Sequence, residues 1–193
     1  MSVIRAFIAI DLPPDIQECV GKISGELKEQ LRNLPVRWVP LQNVHLTLKF
    51  LGDVSLKNLE VLTELISQVA SGYQAFEISV GGIGAYPNIR KPRVIWIGLE
   101  GPDELNSLQH GIEVETTRLG YAREERPFSS HLTLSRVSRN ANSVEIRQIS
   151  NLLANYSVGF LGVANVSEVH LLKSELKPGG AIYTHIYSAS LIK

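Results

Sequence analysis

One short string occurs twice: His45-Leu46-Thr47-Leu48 returns as His131-Leu132-Thr133-Leu134, with the histidines 86 residues apart (131 − 45). An imidazole titrates near pH 6.5, so of two histidines at one cleft, a neutral one can accept a proton while a charged one donates. That pairing suits in-line displacement at phosphorus, where the attacking oxygen loses a proton and the leaving oxygen gains one. The threonine two residues on can give its hydroxyl hydrogen to a non-bridging phosphate oxygen. The scheme needs no metal and no cofactor. No carboxylate stands at ligand spacing beside either motif, and soft ligands are absent there. Two of only five histidines share this context, which core packing explains poorly, whereas His110, His170 and His185 read as structural or exposed.

The string alternates polar and apolar residues, and in a strand the side-chain period is two. His45 and Thr47 therefore face one way, and Leu46 and Leu48 the other. The same alternation assigns Val44 and Phe50 to the leucine face, Lys49 to the His45 face and Ser135 to the His131 face. Before the first motif lie a β-branched strand over 3–10, a helix opened by Pro13-Pro14 with Ile16, Val20, Ile23 and Leu27 as its stripe, and an extended link over 36–40. After it come a helix over 56–69, a strand at Phe76, Ile78 and Val80, and an inner strand over 93–99. Gly81-Gly82 and Gly84 suggest a bulge or a close backbone approach. A helix carrying Leu105, Leu108 and Ile112 leads to the second motif strand, over 131–137. The chain then continues with a helix over 144–153, strands over 158–163 and 166–172, a turn at Gly179-Gly180 and a strand over 182–192. Each half thus reads strand, helix, motif strand, helix, strand. The expected fold class is α/β (α+β): two pseudo-symmetric lobes, each a mostly antiparallel sheet with helices on its outer face, around a central cleft. The whole, 1–193, is expected to be one two-lobed domain.

Composition narrows the partners. With 193 residues, 44% apolar and 20% charged, the chain can bury a core and is not disordered. Its net charge of zero argues against a surface gripping a long nucleic-acid backbone. Binding is expected to rest on a terminal phosphate and a nucleotide or two, with shallow salt dependence. The lone Cys19 excludes an internal disulfide and fits a reducing compartment. Arg5 interrupts the apolar stretch at 3–10 and Asp11-Leu12-Pro13-Pro14 ends it, too soon for a signal or membrane segment. The reading is a cytoplasmic monomer with no membrane partner.

The chain resembles the RNA 2′,3′-cyclic phosphodiesterase family, also called 2′-5′ RNA ligases, within the two-histidine phosphoesterases. The resemblance is carried by Arg5-Ala6-Phe7-Ile8-Ala9-Ile10, Arg37-Trp38-Val39, His45 through Gly52, Gly82-Ile83-Gly84-Ala85-Tyr86-Pro87, Arg93-Val94-Ile95-Trp96 and Pro127-Phe128 through Arg136. Ser130 stands where the family often has proline, and Ser135 where it often has alanine. The resemblance implies hydrolysis of RNA 2′,3′-cyclic phosphate ends to a 2′-phosphomonoester, on RNA 3′ ends or cyclic nucleotides. It further implies His45 as proton donor, His131 as proton acceptor, and Thr47 and Thr133 as phosphate holders; spacing alone does not assign the two histidine roles. Arg136 is a further phosphate candidate, although strict alternation puts it opposite His131. Arg5, Phe7 and Lys49 are candidates to line the cleft, Phe7 by stacking on a base. Ligation forming a 2′-5′ bond, the reverse reaction, and a non-catalytic RNA-end binding module are the alternatives.

Overall fold

The computed structural model describes residues 3–178 and 180–193. Its elements run β1 (Val3–Ile10), α1 (Pro14–Gln30), β2 (Val36–Trp38), β3 (Leu46–Ser55), α2 (Leu59–Ala70), β4 (Phe76–Tyr86) and β5 (Val94–Glu100). They continue α3 (Asp103–Arg118), β6 (His131–Val137), α4 (Ser143–Asn155), β7 (Phe160–Val166), β8 (Glu168–Lys177) and β9 (Gly180–Ser190). Proline at the first turn of α1 costs nothing because its missing N–H would have no helical partner, and Ile16, Val20 and Leu27 form the buried stripe. Asn142 caps α4 in a reciprocal box with Glu145. Of the turn expected at Gly179-Gly180, Gly179 lies outside the described residues; Gly180, at φ +125°, opens β9.

The strands form one antiparallel path, β7-β4-β5-β6-β3-β1-β8-β9, with β2 added to β6. The path has two four-stranded halves joined at a single bridge, Leu46↔Leu132, between the two motif strands. The lobes are not the sequence halves. Hairpin pairing takes β4 across to β5, while β8 and β9 return to β1, so each lobe holds strands from both halves. The helices are exchanged likewise: α1 packs on β7, while α2 and α3 pack together, α2 on β8 and β9 and α3 on β3. One core cluster runs through both lobes, and a small second cluster of Phe7, Ala9 and Leu172 sits against Tyr183. Among the described residues no helix is long and apolar enough to cross a membrane.

Both motif strands break strict alternation at the same repeated residue. Against β1, Ala9 pairs with Thr47 but Ile8 pairs with Lys49, leaving Leu48 as an extra residue. Against β5, Trp96 pairs with Thr133 but Ile95 pairs with Ser135, leaving Leu134 as the extra one. Each is a β-bulge, and beyond it the faces swap. Lys49 and Ser135 consequently turn inward, while Phe50 and Arg136 turn outward. Two expectations are corrected. Lys49 does not line the cleft: it is 3% exposed and donates to Glu113 Oε1 on α3 at 2.6 Å and to the Ala122 carbonyl at 2.6 Å. Phe50 does not join the leucines; it stands 65% exposed beside Phe7, with ring centroids 6.1 Å apart.

Candidate active site

The single bridge fixes the geometry of the motifs. With Leu46 opposite Leu132 in an antiparallel pair, the register sets His45 across from Thr133 and Thr47 across from His131. Both leucines are buried on the core side, so all four polar side chains share the other face. Each histidine is diagonal to the other, and such neighbours stand roughly 7–8 Å apart in a regular pair, their Cβ atoms somewhat closer. Thr47 and Thr133 are half-buried on this face.

Each imidazole is held in the same two ways. The backbone two residues ahead faces it: His131 Nδ1–H donates to the Ser129 carbonyl at 2.7 Å, and the Asn43 backbone favours the His45 imidazolium. A carbonyl only accepts, so neutral His131 carries its lone pair on Nε2. Both anchors are themselves pinned. The Asn43 amide donates to the Ala181 carbonyl at 2.7 Å, and Ser129 bonds the Tyr86 hydroxyl at 2.7 Å. Ser130 donates its hydroxyl to the Leu99 carbonyl at 2.7 Å, fixing the approach to β6.

Aromatic rings then pack each imidazole. His45 stacks on Phe7 with centroids 4.7 Å apart and meets Tyr183 edge-on at 5.3 Å; His131 meets Tyr86 edge-on at 5.0 Å and Trp96 at 6.3 Å. Trp96 lies so close over β4 that a Cβ on Gly84 would come within 2.2 Å of its ring, which is why glycine stands there. Burial among these rings disfavours the imidazolium. It pushes the His45 pKa down to about 4, opposed in part by the Asp11 carboxylate, and lowers that of His131, with the nearby Arg136 charge adding to the effect.

The bulge brings Arg136 onto the His131 face despite its odd spacing, and across the strand pair it meets Arg37 of β2. Arg5 is exposed on the Phe7 side of β1, two residues farther from His45. Phe7 is 3% exposed and supports the His45 ring rather than offering a free stacking face; the exposed Phe50 beside it offers one. Periodicity misses Phe50 because the bulge leaves no residue-type signature. It also misses a cluster beside His45. His185 Nε2 bonds Asp11 Oδ2 at 2.7 Å, His170 Nε2 lies 4.0 Å from the same oxygen, and His170 Nδ1 bonds Ser188 Oγ at 2.8 Å. Asp11, His170 and His185 present ligand atoms within 4.8 Å of one another, the set among the described residues that could hold a metal ion.

The family model described as LigT like phosphoesterase matches the chain twice in tandem, over residues 10–96 and 97–183. The RNA 2′,3′-cyclic phosphodiesterase of Methanothermobacter thermautotrophicus is 38% identical over 181 residues, 94% of this chain and 95% of the relative. That of Archaeoglobus fulgidus is 35% identical, covering 93% and 96%. The crystal structure of Escherichia coli LigT superposes over 100% of both chains with a TM-score of 0.76 at 26% identity, and its complex with 3′-AMP does so with a TM-score of 0.78. Two copies of one histidine motif, facing each other across a single bridge and matched twice by the same family model, place this chain in the LigT-like phosphoesterase family.

Proposed function

We propose that the protein hydrolyses RNA 2′,3′-cyclic phosphate ends to 2′-phosphomonoesters, with His131 as base and His45 as acid. The observation that carries this reading is the crossed arrangement of the motifs about Leu46↔Leu132, which presents two imidazoles and two threonines to one small anion. His131 Nε2 takes a proton from water as the water oxygen bonds to phosphorus. The bond from phosphorus to the 3′ oxygen breaks, and that oxygen receives the proton of His45. Thr47 and Thr133 donate hydroxyl hydrogens to the non-bridging oxygens, and Arg136 adds charge on the same side. With its pKa near 4, free His45 is mostly neutral at neutral pH, so the bound phosphate anion must supply the charge that favours its imidazolium. The bulge positions differ between lobes: Phe50 offers a ring on the His45 side and Arg136 a guanidinium on the His131 side, which suits a base at the first and phosphate at the second. All these groups come from one chain, in keeping with a monomer, and the lone Cys19 agrees with a reducing cytoplasm.

The test is a product assay on a cyclic-phosphate-ended oligonucleotide, with and without chelator. Release of a 2′-phosphomonoester that survives the chelator is expected; a 3′-phosphate alone would refute the regiochemistry. Replacing either histidine with alanine should cost on the order of 10²- to 10⁴-fold in kcat. A substrate with a nitrophenolate leaving group, which needs no proton, should restore turnover to His45→Ala and not to His131→Ala. The opposite pattern would reverse the two roles. Excess 5′-hydroxyl RNA in the same assay tests the reverse, ligating reaction.

A further inference from the structure

Two open grooves lie side by side where β2 and β5 begin and β6 ends, and Arg93 lines both. The larger, about 910 Å³, is flanked by Arg37, Arg93, Arg136 and Arg139. The other, about 550 Å³, separates the loop after β4 from the first turns of α4 and is flanked by Arg90, Lys91, Arg93 and Arg147, with Ser143 and Ser150 between them. No aspartate or glutamate lines either groove. All seven cations are exposed, and among the described residues none has a carboxylate within 4.0 Å. Glu145, on the first turn of α4, is occupied in the helix cap.

This is a large separation of charge. Seven of the chain's 19 Lys and Arg stand here, beside Glu145 alone of the 19 Asp and Glu on α4's first turn, leaving 12 to face the other 18, so a net charge of zero conceals one basic face. Like charges directly opposite on paired strands repel, as Arg37 and Arg136 do, and an anion between them would relieve it. Six of the seven are arginine, whose planar fork matches phosphate oxygens two at a time. The track is also continuous with the active site, because Arg136 shares a strand and a face with His131 and Thr133. Arg93 holds the junction, donating one guanidinium N–H to the Ser138 carbonyl at 2.7 Å, with no other side-chain partner among the described residues.

We propose that the two grooves form one track for the backbone of a single-stranded RNA, so that the protein grips several internal phosphates behind the terminal cyclic one. The track selects RNA ends over cyclic mononucleotides. It predicts a steeper salt dependence than the shallow one expected from a net charge of zero. This inference rests on the RNA-end reading of the active site.

The experiment compares a nucleoside 2′,3′-cyclic monophosphate with cyclic-phosphate-ended oligonucleotides of increasing length, on the wild type and on the double variant Arg90→Glu/Arg147→Glu, whose sites are exposed and distant in sequence from both motifs. KM should fall with length and then level off, and its salt dependence should steepen by a slope of about 0.7 for each phosphate neutralised. The double variant should raise KM for the long substrate by on the order of tenfold, leave kcat alone, and leave turnover of the cyclic mononucleotide unchanged. Equal KM and equal salt slope for short and long substrates, or a double variant indistinguishable from wild type on the long one, would overturn the track. Competition by polyglutamate as effective as by RNA of equal charge would overturn the assignment to RNA. If no substrate is turned over, the active-site reading fails, and fluorescence anisotropy of the same oligonucleotides, with the same length and variant dependence required, decides the track by itself.

Discussion

At the scale of single residues, burial disfavours the charged form of both motif imidazoles in the free protein. Burial between Phe7 and Tyr183 lowers the His45 pKa from its ordinary 6.5 to about 4, and His131 and His170 are lowered by the same cause. The sign follows directly. Between pH 6.5 and 4 the unfolded chain binds a proton that folded His45 refuses, so stability is lost as pH falls through that window and is fully present above it. Chemical denaturation at pH 7 and at pH 5 should show a smaller loss on acidification for His45→Phe than for the wild type; equal losses would contradict the burial argument. The same shifts place both limbs of the kcat/KM profile, which report the free enzyme, on the acid side of an ordinary histidine. Its optimum should lie below pH 6.5, whereas kcat should peak at higher pH because bound phosphate stabilises the imidazolium. A kcat/KM optimum above pH 7 would count against this pair.

At the scale of the element, the bulge after Thr47 and its repeat after Thr133 decide which side chains reach the cleft. In β3 the inward residue is Lys49, and its ammonium is tolerable in the core only because Glu113 and the Ala122 carbonyl receive it. Glu113 Oε1 also accepts the Glu124 backbone N–H at 2.9 Å, so the pair ties β3, α3 and the segment before β6 together. Removing one partner of such a pair leaves an uncompensated buried charge, at a cost of about 3–5 kcal/mol. Lys49→Ala should therefore lower the denaturation midpoint severely, while the paired change Lys49→Met/Glu113→Leu should recover much of the loss. A mild Lys49→Ala would show that the pair is not held apart from water. In β6 the inward residue is Ser135, whose buried hydroxyl has no partner among the described residues; an alanine there would remove no bond.

At the scale of the whole molecule, the exchange of strands makes the two sequence repeats interdependent. The lobe of β1 and β3 needs β8 and β9 from the chain's end, and the lobe of β5 and β6 needs β4 from its first half. Fragments 1–93 and 94–193 should each remain largely unfolded when made separately, since each lacks strands that complete its sheets and bury the common core. Mixing them should restore helix and sheet signals by circular dichroism. Two independently folded fragments would disprove the interdependence. For the intact chain the shared core calls for one cooperative transition rather than two.

The sequence by itself determined the repeated motif, the face that carries its histidines and threonines, the order of strands and helices, and the family resemblance. Those are local properties: periodicity sets the element, and residue type sets the chemistry. Tertiary structure decided the rest. Whether Lys49 or Phe50 faced the cleft depended on a bulge, which arises from how β3 fits against β1 and has no signature in composition. That β4 crosses to the other lobe depended on hairpin pairing with β5, a contact no alternation pattern encodes. Net charge is a sum and carries no position, so the basic face beside Arg136 emerged only when loops and strand ends distant in sequence came together.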